Sequence, residues 1–309
     1  MPLGVRNVAR CWVAFALALS SCSPSATGSR ASSGVAAGTD DLTPRERRDW
    51  LQLTRELQAP CSDPSTSVDQ CVREKLPCPA CKPASDFVLK AIRDGRARDQ
   101  IEEAFRLRFS PDRIKPIDLS DAPSFGPASA EVTVVEFADF QCPACARTVQ
   151  LLDQLVSDFS PHVRIVFKHY PLPSHPQAES AARAAVAAQL QGKFWEMHHK
   201  LFAGQKLLSP ESIEEYARDA GLDVARLKAD AASPDSLARV RKQLAEGNRI
   251  GVASTPSLFI NGRSFDLKHF ELSSDLSDWV AAEIEIVTGK DAPRPSPRPA
   301  NSSSADRNR

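Results

Sequence analysis

The chain has 309 residues, in which 39 Lys and Arg are matched by 39 Asp and Glu and 42% of positions are apolar. That length is enough for two domains, and the lack of net charge removes the basic excess that a nucleic-acid partner would need. Eight cysteines are the compositional feature with chemical consequences.

Arg6 and Arg10 precede an apolar run from Cys11 to Leu19, too short to cross a bilayer as a helix, and small residues follow. This is the pattern of a secretory signal. Leu19-Ser20-Ser21-Cys22 resembles a bacterial lipobox. The resemblance implies a signal peptide over residues 1–22, lipidation of Cys22 as the mature N-terminus and a membrane anchor through the lipid. Ser rather than Asp after the cysteine is similar to outer-membrane sorting, which implies a periplasm-facing lipoprotein of the bacterial envelope. An ordinary signal peptide with a chance cysteine is the alternative. Residues 23–42, rich in Ser, Gly and Ala, predict a flexible tether.

Thr43-Pro44-Arg45-Glu46 combines a capping box with proline at the first helical position, and Trp50, Leu53 and Leu57 follow on one face. A helix is expected from about Pro44 to Gln58, opening a small helical Cys-rich module over residues 43–117. Cys61 and Cys71 flank a loop rich in Ser, Asp and Pro, and Cys78-Pro79-Ala80-Cys81 comes next. Phe87, Val88, Ala91 and Ile92 before Gly95, then Ile101, Ala104, Phe105 and Arg108 after it, predict an αα-hairpin. Removal of Cys11 and lipidation of Cys22 would leave six cysteines, in a compartment that permits disulfides.

Three uses of the N-terminal four stay open. They are structural disulfides in a module with little core (Cys61 with Cys71 and Cys78 with Cys81, or crossed), a second redox pair at Cys78 and Cys81, or a zinc site of four thiolates. Lys82 rather than His after the motif does not support covalent haem.

Residues 118–130 hold Pro and Gly and predict a linker. Val132, Val134, Val135 and Phe137 then give strand chemistry, and Cys142-Pro143-Ala144-Cys145 opens a helical pattern. At a helix start the first thiol meets unpaired N–H groups and the positive end of the macrodipole. Cys142 is therefore expected as the exposed nucleophile and Cys145, one turn inward, as the buried resolving thiol. Cys145, Val149, Leu152 and Val156 continue a helical face, and Val163, Ile165 and Phe167 alternate as a strand. Ala181 to Leu190, Gly192 to Phe202 and Ser209 to Ala220 predict successive helices. Phe194, Trp195, Met197, Leu201 and Phe202 read as core rather than an exposed binding patch, and the neighbouring His198 and His199 point apart and receive no site role. Ser257 to Ile260 predicts a strand, Asn261-Gly262 a hairpin turn toward Arg263 to Phe265, and His269 to Val287 a final helix. The tail over residues 290–309 is rich in Pro and Ser and is expected to be disordered.

Four blocks, FADFQCPAC (Phe137–Cys145), VRIVFKHYPL (Val163–Leu172), QGKFWEMH (Gln191–His198) and GVASTPSLFING (Gly251–Gly262), resemble in sequence and order the DsbA-like thiol–disulfide oxidoreductases. The resemblance implies an α/β thioredoxin fold over residues 118–289 with an all-helical insertion at about 175–248, preceded by the small helical module. It implies that Glu136 is the buried acid that takes the Cys145 proton; a strand-end glutamate facing water is the alternative. It also implies a cis peptide at Pro256, with Thr255 pairing to an extended substrate. Leu76 to Ile117 resembles in part the periplasmic domain of the CcmH/CycL cytochrome c maturation proteins, thiol reductants with a CxxC before a helical bundle.

The activity so implied is disulfide formation or exchange in exported proteins through Cys142 and Cys145, reset by a redox partner, with no cofactor and no metal. Ala144, which supplies neither charge nor hydrogen bond, predicts a less oxidising enzyme than relatives with histidine there. Two alternatives remain: an envelope reductase or isomerase with Cys78 and Cys81 as an electron relay, and a non-enzymatic peptide-binding lipoprotein.

Overall fold

The computed structural model describes residues 41–61 and 65–293. Cys22, the expected signal, residues 23–40 of the expected tether and the tail beyond residue 293 lie outside them. Helix α1 (Pro44–Glu56) starts at its capping box: the Thr43 hydroxyl accepts from the Glu46 amide at 3.3 Å, and the Glu46 carboxylate accepts from the Thr43 amide at 2.8 Å. A short helix, α2 (Val68–Arg73), is capped by the Ser67 hydroxyl, which accepts from the Gln70 amide at 3.1 Å. The expected hairpin is α3 (Cys81–Arg93) and α4 (Arg98–Phe109), turned through Gly95 at φ +71°.

The sheet has five strands, β1 (Ser124–Phe125), β2 (Val132–Ala138), β3 (Val163–His169), β4 (Ser257–Ile260) and β5 (Arg263–Phe265), in the order β1-β3-β2-β4-β5. β2 and β3 are parallel, with Val134 opposite Ile165, and α5 (Pro143–Phe159) makes the crossover between them. The other pairings are antiparallel. Every residue of β2 is buried, which is why it reads as an apolar run rather than an alternation. The β4–β5 turn carries Asn261 at φ +45° and Gly262 at φ +83°, the left-handed pair that a two-residue hairpin requires.

Between β3 and β4 the chain inserts five helices: α6 (Ala178–Leu190), α7 (Phe194–Ala203), α8 (Pro210–Asp219), α9 (Val224–Ala232) and α10 (Pro234–Ile250). Phe194, Met197, Leu201 and Phe202 are buried with Phe140 and Phe167, so the aromatic patch is core. His198 is enclosed there with neither ring nitrogen partnered, and burial holds its pKa well below the usual value, so it packs as a neutral ring.

Two expectations are corrected. Residues 118–130 are not a bare linker, because Ser124 and Phe125 pair with β3; a Cβ on Gly126, at φ +104°, would lie 2.6 Å from the Val163 carbonyl. The last helix, α11 (Asp275–Thr288), starts six residues later than His269. Asp266 folds the intervening chain into a turn, its carbonyl accepting from His269 and Phe270 at 2.9 Å each, and Phe270 docks in the core.

One apolar core runs from the N-terminal module into the sheet: Trp50, Phe87 and Phe105 share a cluster with Val134, Phe265 and Trp279. Arg108 is buried within it, 5.2–5.3 Å from the rings of Phe87, Phe109 and Trp279, and donates to the Asp278 carbonyl at 3.1 Å. Desolvation draws its pKa down to about 10, so it stays charged at neutral pH. Beside it Asp275 accepts from Lys90 and Arg96 at 2.9 Å each. The chain near residue 117 therefore does not separate two cores.

Candidate active site

β2 delivers the chain to a turn at Asp139, and Cys142 is the residue that caps α5, with Pro143 at its first position. The Cys142 amide donates to the Asp139 carbonyl at 3.0 Å, while its own carbonyl accepts from the Cys145 amide at 3.1 Å. Across from it, the Thr255–Pro256 peptide is cis, and the Cys142 thiol donates to the Thr255 carbonyl at 3.4 Å. Both site cysteines are free thiols. Cys142 is less open than expected: only 7% of its surface is exposed, because the Thr255 segment sits against the sulfur, and Cys145 is fully buried.

The two thiols are driven apart electrostatically. Cys142 is lowered to about 5, chiefly because the Cys145 thiol hydrogen-bonds to its thiolate. The Thr255 side chain and the amides of Cys145 and Ala144 add to this against the cost of burial. The buried Thr255 hydroxyl has no hydrogen-bond partner while Cys142 is a thiol. Cys145 is pushed strongly upward, first by burial, then by its bond to Cys142 and by the charge of Glu136.

Glu136 is 2% exposed. Burial raises it to about 7, against the lowering effect of the Thr148 hydroxyl. Thr148 Oγ1 makes a short contact to Glu136 Oε1 and lies 2.7 Å from the Cys145 carbonyl. One hydroxyl has one proton, so both bonds form together only when Glu136 is protonated and donates to Thr148, which then donates onward. A carboxyl poised near neutrality is thus wired to the backbone of Cys145.

Three residues that sequence reasoning missed hold this geometry. Thr148 lies three residues after Cys145 on the inward face of α5. Asp139, itself buried, accepts from the Gln141 amide at 2.7 Å, the Leu172 amide at 2.8 Å and His175 Nδ1 at 2.7 Å, tying the turn to the start of the insertion. Gln205, from the insertion, donates to the Cys142 carbonyl at 3.1 Å.

The four remaining cysteines within the described residues lie apart from this site in sequence and form one cluster. Cys61 pairs with Cys78 and Cys71 with Cys81, the crossed arrangement. Cys78 and Cys81 are therefore not bonded to each other as their CxxC spacing suggests. The four sulfurs lie within 4.8 Å of one another, a grouping that would also suit a metal, but as disulfides they present no thiolate ligand.

A family model described as Thioredoxin matches residues 120–278. The chain is 39% identical over 153 residues to Na(+)/H(+) antiporter NhaA 3 of Salinispora tropica, covering 49% of this chain and 23% of that protein. It is 41% identical over 138 residues to the NhaA antiporter of Herminiimonas arsenicoxydans, covering 45% and 22%. The chain thus spans less than a quarter of the length of these curated relatives, and among its described residues no helix is long and apolar enough to cross a membrane. Among solved structures, oxidised BdbD from Bacillus subtilis superposes with a TM-score of 0.50 at 21% identity, covering 56% of this chain and 97% of that one. With the family model taking in half of its length, the chain belongs to the thioredoxin family, and its fold carries a helical insertion between β3 and β4.

Proposed function

We propose that the chain is a thiol–disulfide oxidoreductase of exported proteins, working through Cys142 and Cys145. The observation that carries this is the opposed pair of thiols: Cys142 lowered to about 5 at a helix start, and Cys145 buried behind it with its pKa raised. In the oxidising direction a client thiolate attacks the Cys142 sulfur of the Cys142–Cys145 disulfide. A client–Cys142 bond forms, and Cys145 leaves with a proton supplied by way of Glu136. A second client thiolate then attacks the client sulfur, Cys142 departs as a stabilised thiolate, and the client is oxidised by two electrons as the enzyme is reduced by two. A separate redox partner must remove those electrons. Stabilising the departing thiolate favours the reduced enzyme, which supports oxidase over reductase or isomerase. The Thr255 carbonyl, already facing the Cys142 sulfur, suits backbone pairing with an extended client.

The setting that fits is the bacterial envelope, on the periplasmic side and anchored through lipid on Cys22. Two disulfides in the N-terminal module support an oxidising compartment. The test is trapping: Cys145→Ser expressed in an exporting bacterium should accumulate mixed disulfides with envelope proteins, seen on non-reducing gels and released by a reductant. Equal trapping by Cys142→Ser, or none by either variant, would overturn the assignment; peptide binding that survives in Cys142→Ser without turnover would favour a holdase.

A further inference from the structure

The four N-terminal cysteines sit too close together to be two independent bonds. Cys61 Sγ lies 3.4 Å from Cys71 Sγ and 3.9 Å from Cys81 Sγ, so one member of the first disulfide is in van der Waals contact with both sulfurs of the second. Burial is unequal: Cys71 and Cys81 are enclosed, whereas Cys61 and Cys78 are only partly covered. Cys61 also forms part of the wall of an open cleft of about 900 Å³ whose floor includes Leu57, Phe105 and Phe109. An external dithiol therefore meets the Cys61–Cys78 bond first.

The second CPAC tetrapeptide is also out of phase with the first. Cys142 caps its helix, but α3 begins two residues later relative to the motif, with Ala80 as the cap and Cys81 as the first helical residue. The helix start favours a thiolate at Cys81 rather than at Cys78. Cys71 lies inside the six-residue α2 and has no such help.

We infer that this cluster is a second thiol–disulfide exchange site, in which opening of Cys61–Cys78 transfers the buried bond to Cys61–Cys71 and leaves Cys78 and Cys81 as the free dithiol. In the first step an external dithiol attacks the exposed bond through a mixed disulfide, closes its own disulfide and leaves Cys61 and Cys78 reduced by two electrons and two protons. In the second, the Cys61 thiolate, which lies beside the Cys71–Cys81 bond and is freed to rotate once its own bond is open, swings into line with that bond and attacks Cys71 Sγ, the nearer sulfur. The Cys61–Cys71 bond forms, the Cys71–Cys81 bond breaks, and Cys81 departs as a thiolate at the start of α3, with no net oxidation or reduction. Attack on Cys81 instead would cross the longer gap and expel Cys71, the poorer leaving group. The CxxC pair is thus produced by exchange rather than by direct reduction of a Cys78–Cys81 bond.

Neither step uses Cys142 or Cys145, so the cluster should exchange in a protein that lacks both thiols. The full chain carrying Cys142→Ser and Cys145→Ser, as isolated oxidised from cells, is titrated with limiting dithiothreitol, quenched in acid, alkylated and peptide-mapped. The expected two-electron product carries label on Cys78 and Cys81 together, with the Cys61 and Cys71 peptides linked. In the additional Cys61→Ser variant, exchange is blocked and Cys71–Cys81 stays intact at the same reductant concentration. Label on Cys61 and Cys78 with Cys71–Cys81 retained, four labels in the first detectable product, or resistance of all four cysteines to reduction in the folded protein would each overturn it.

Discussion

Replacing Cys145 with alanine should raise the pKa of Cys142 while leaving its fold in place, because the Cys145 thiol is the largest of the groups that favour the Cys142 thiolate. In the reduced wild-type protein the Cys142 midpoint should be at about 5, against an ordinary thiol value of 9.0. Because this pKa is depressed, the reduced state gains nothing below pH 5, and the gain grows through neutrality and is complete only above pH 9. At pH 7, two pH units above the midpoint, it is about 3 kcal/mol, equivalent to about 60 mV of more oxidising potential for a two-electron couple. The assay is the ultraviolet absorbance of the thiolate together with the rate of iodoacetamide alkylation, both followed against pH. In Cys145→Ala the midpoint should move up by at least one pH unit but stay below 9, since the Thr255 side chain and the α5 amides remain. An unchanged midpoint would show that the helix start alone holds the thiolate, and a wild-type midpoint near 8.5 would refute the electrostatic basis of the proposed chemistry.

Glu136→Gln should slow the chemical step by about 10²-fold and remove a pH inflection near 7, while the Cys142 midpoint stays low; single-turnover kinetics from pH 5 to 9 would check this. In the oxidised protein the raised Glu136 pKa means that the native state binds more protons than the unfolded chain between pH 4.5 and about 7. Stability should therefore fall by about 3 kcal/mol as pH rises through that window, and urea titrations of Glu136→Gln should lose the slope. Asp139→Ala strips three hydrogen bonds from the turn before Cys142 and should cost about 2–3 kcal/mol, with a higher Cys142 midpoint as the turn loosens. Arg108→Met removes a buried cation from three aromatic faces and should lower stability by about 2 kcal/mol; limited proteolysis between Phe109 and Ser124 should accelerate, whereas unchanged cleavage would deny Arg108 its joining role.

What was legible in the sequence was local chemistry. Thr43 and Glu46, the Cys142-Pro143 helix start and the Asn261-Gly262 turn carry their structural instruction within four residues, and each formed where it was expected. Long-range partnerships were not legible. Asp139 gains its place from His175, 36 positions away, and Gln205 from a carbonyl 63 positions away. Thr148 was within reach of helical spacing, since it follows Cys145 by three residues on a face that must pack inward. Helices α9 and α10 make up the last part of the all-helical insertion that the resemblance implies, and Asp223 and Ser233 stand at their starts as caps, each accepting a backbone N–H three residues on. The late start of α11 shows tertiary packing winning over pattern: Phe270 fits a helical stripe on paper but belongs to a turn plugged into the core. Cysteine pairing was the least readable feature, because four cysteines allow three connectivities and only the approach of α2 to α3 selects the crossed one.

The continuous core has a consequence for how this protein can be taken apart. A chain cut at residue 118 would keep its cysteine pair, cis-proline segment and insertion, yet would uncover the faces of Phe265, Phe270 and Trp279 that the N-terminal helices now cover. Such a fragment would carry an oily, adhesive back. The redox head is therefore not a portable cassette, and transplanting it into another protein would require a substitute lid for that surface, matched in shape to α3 and α4 and including a cation to sit where Arg108 does.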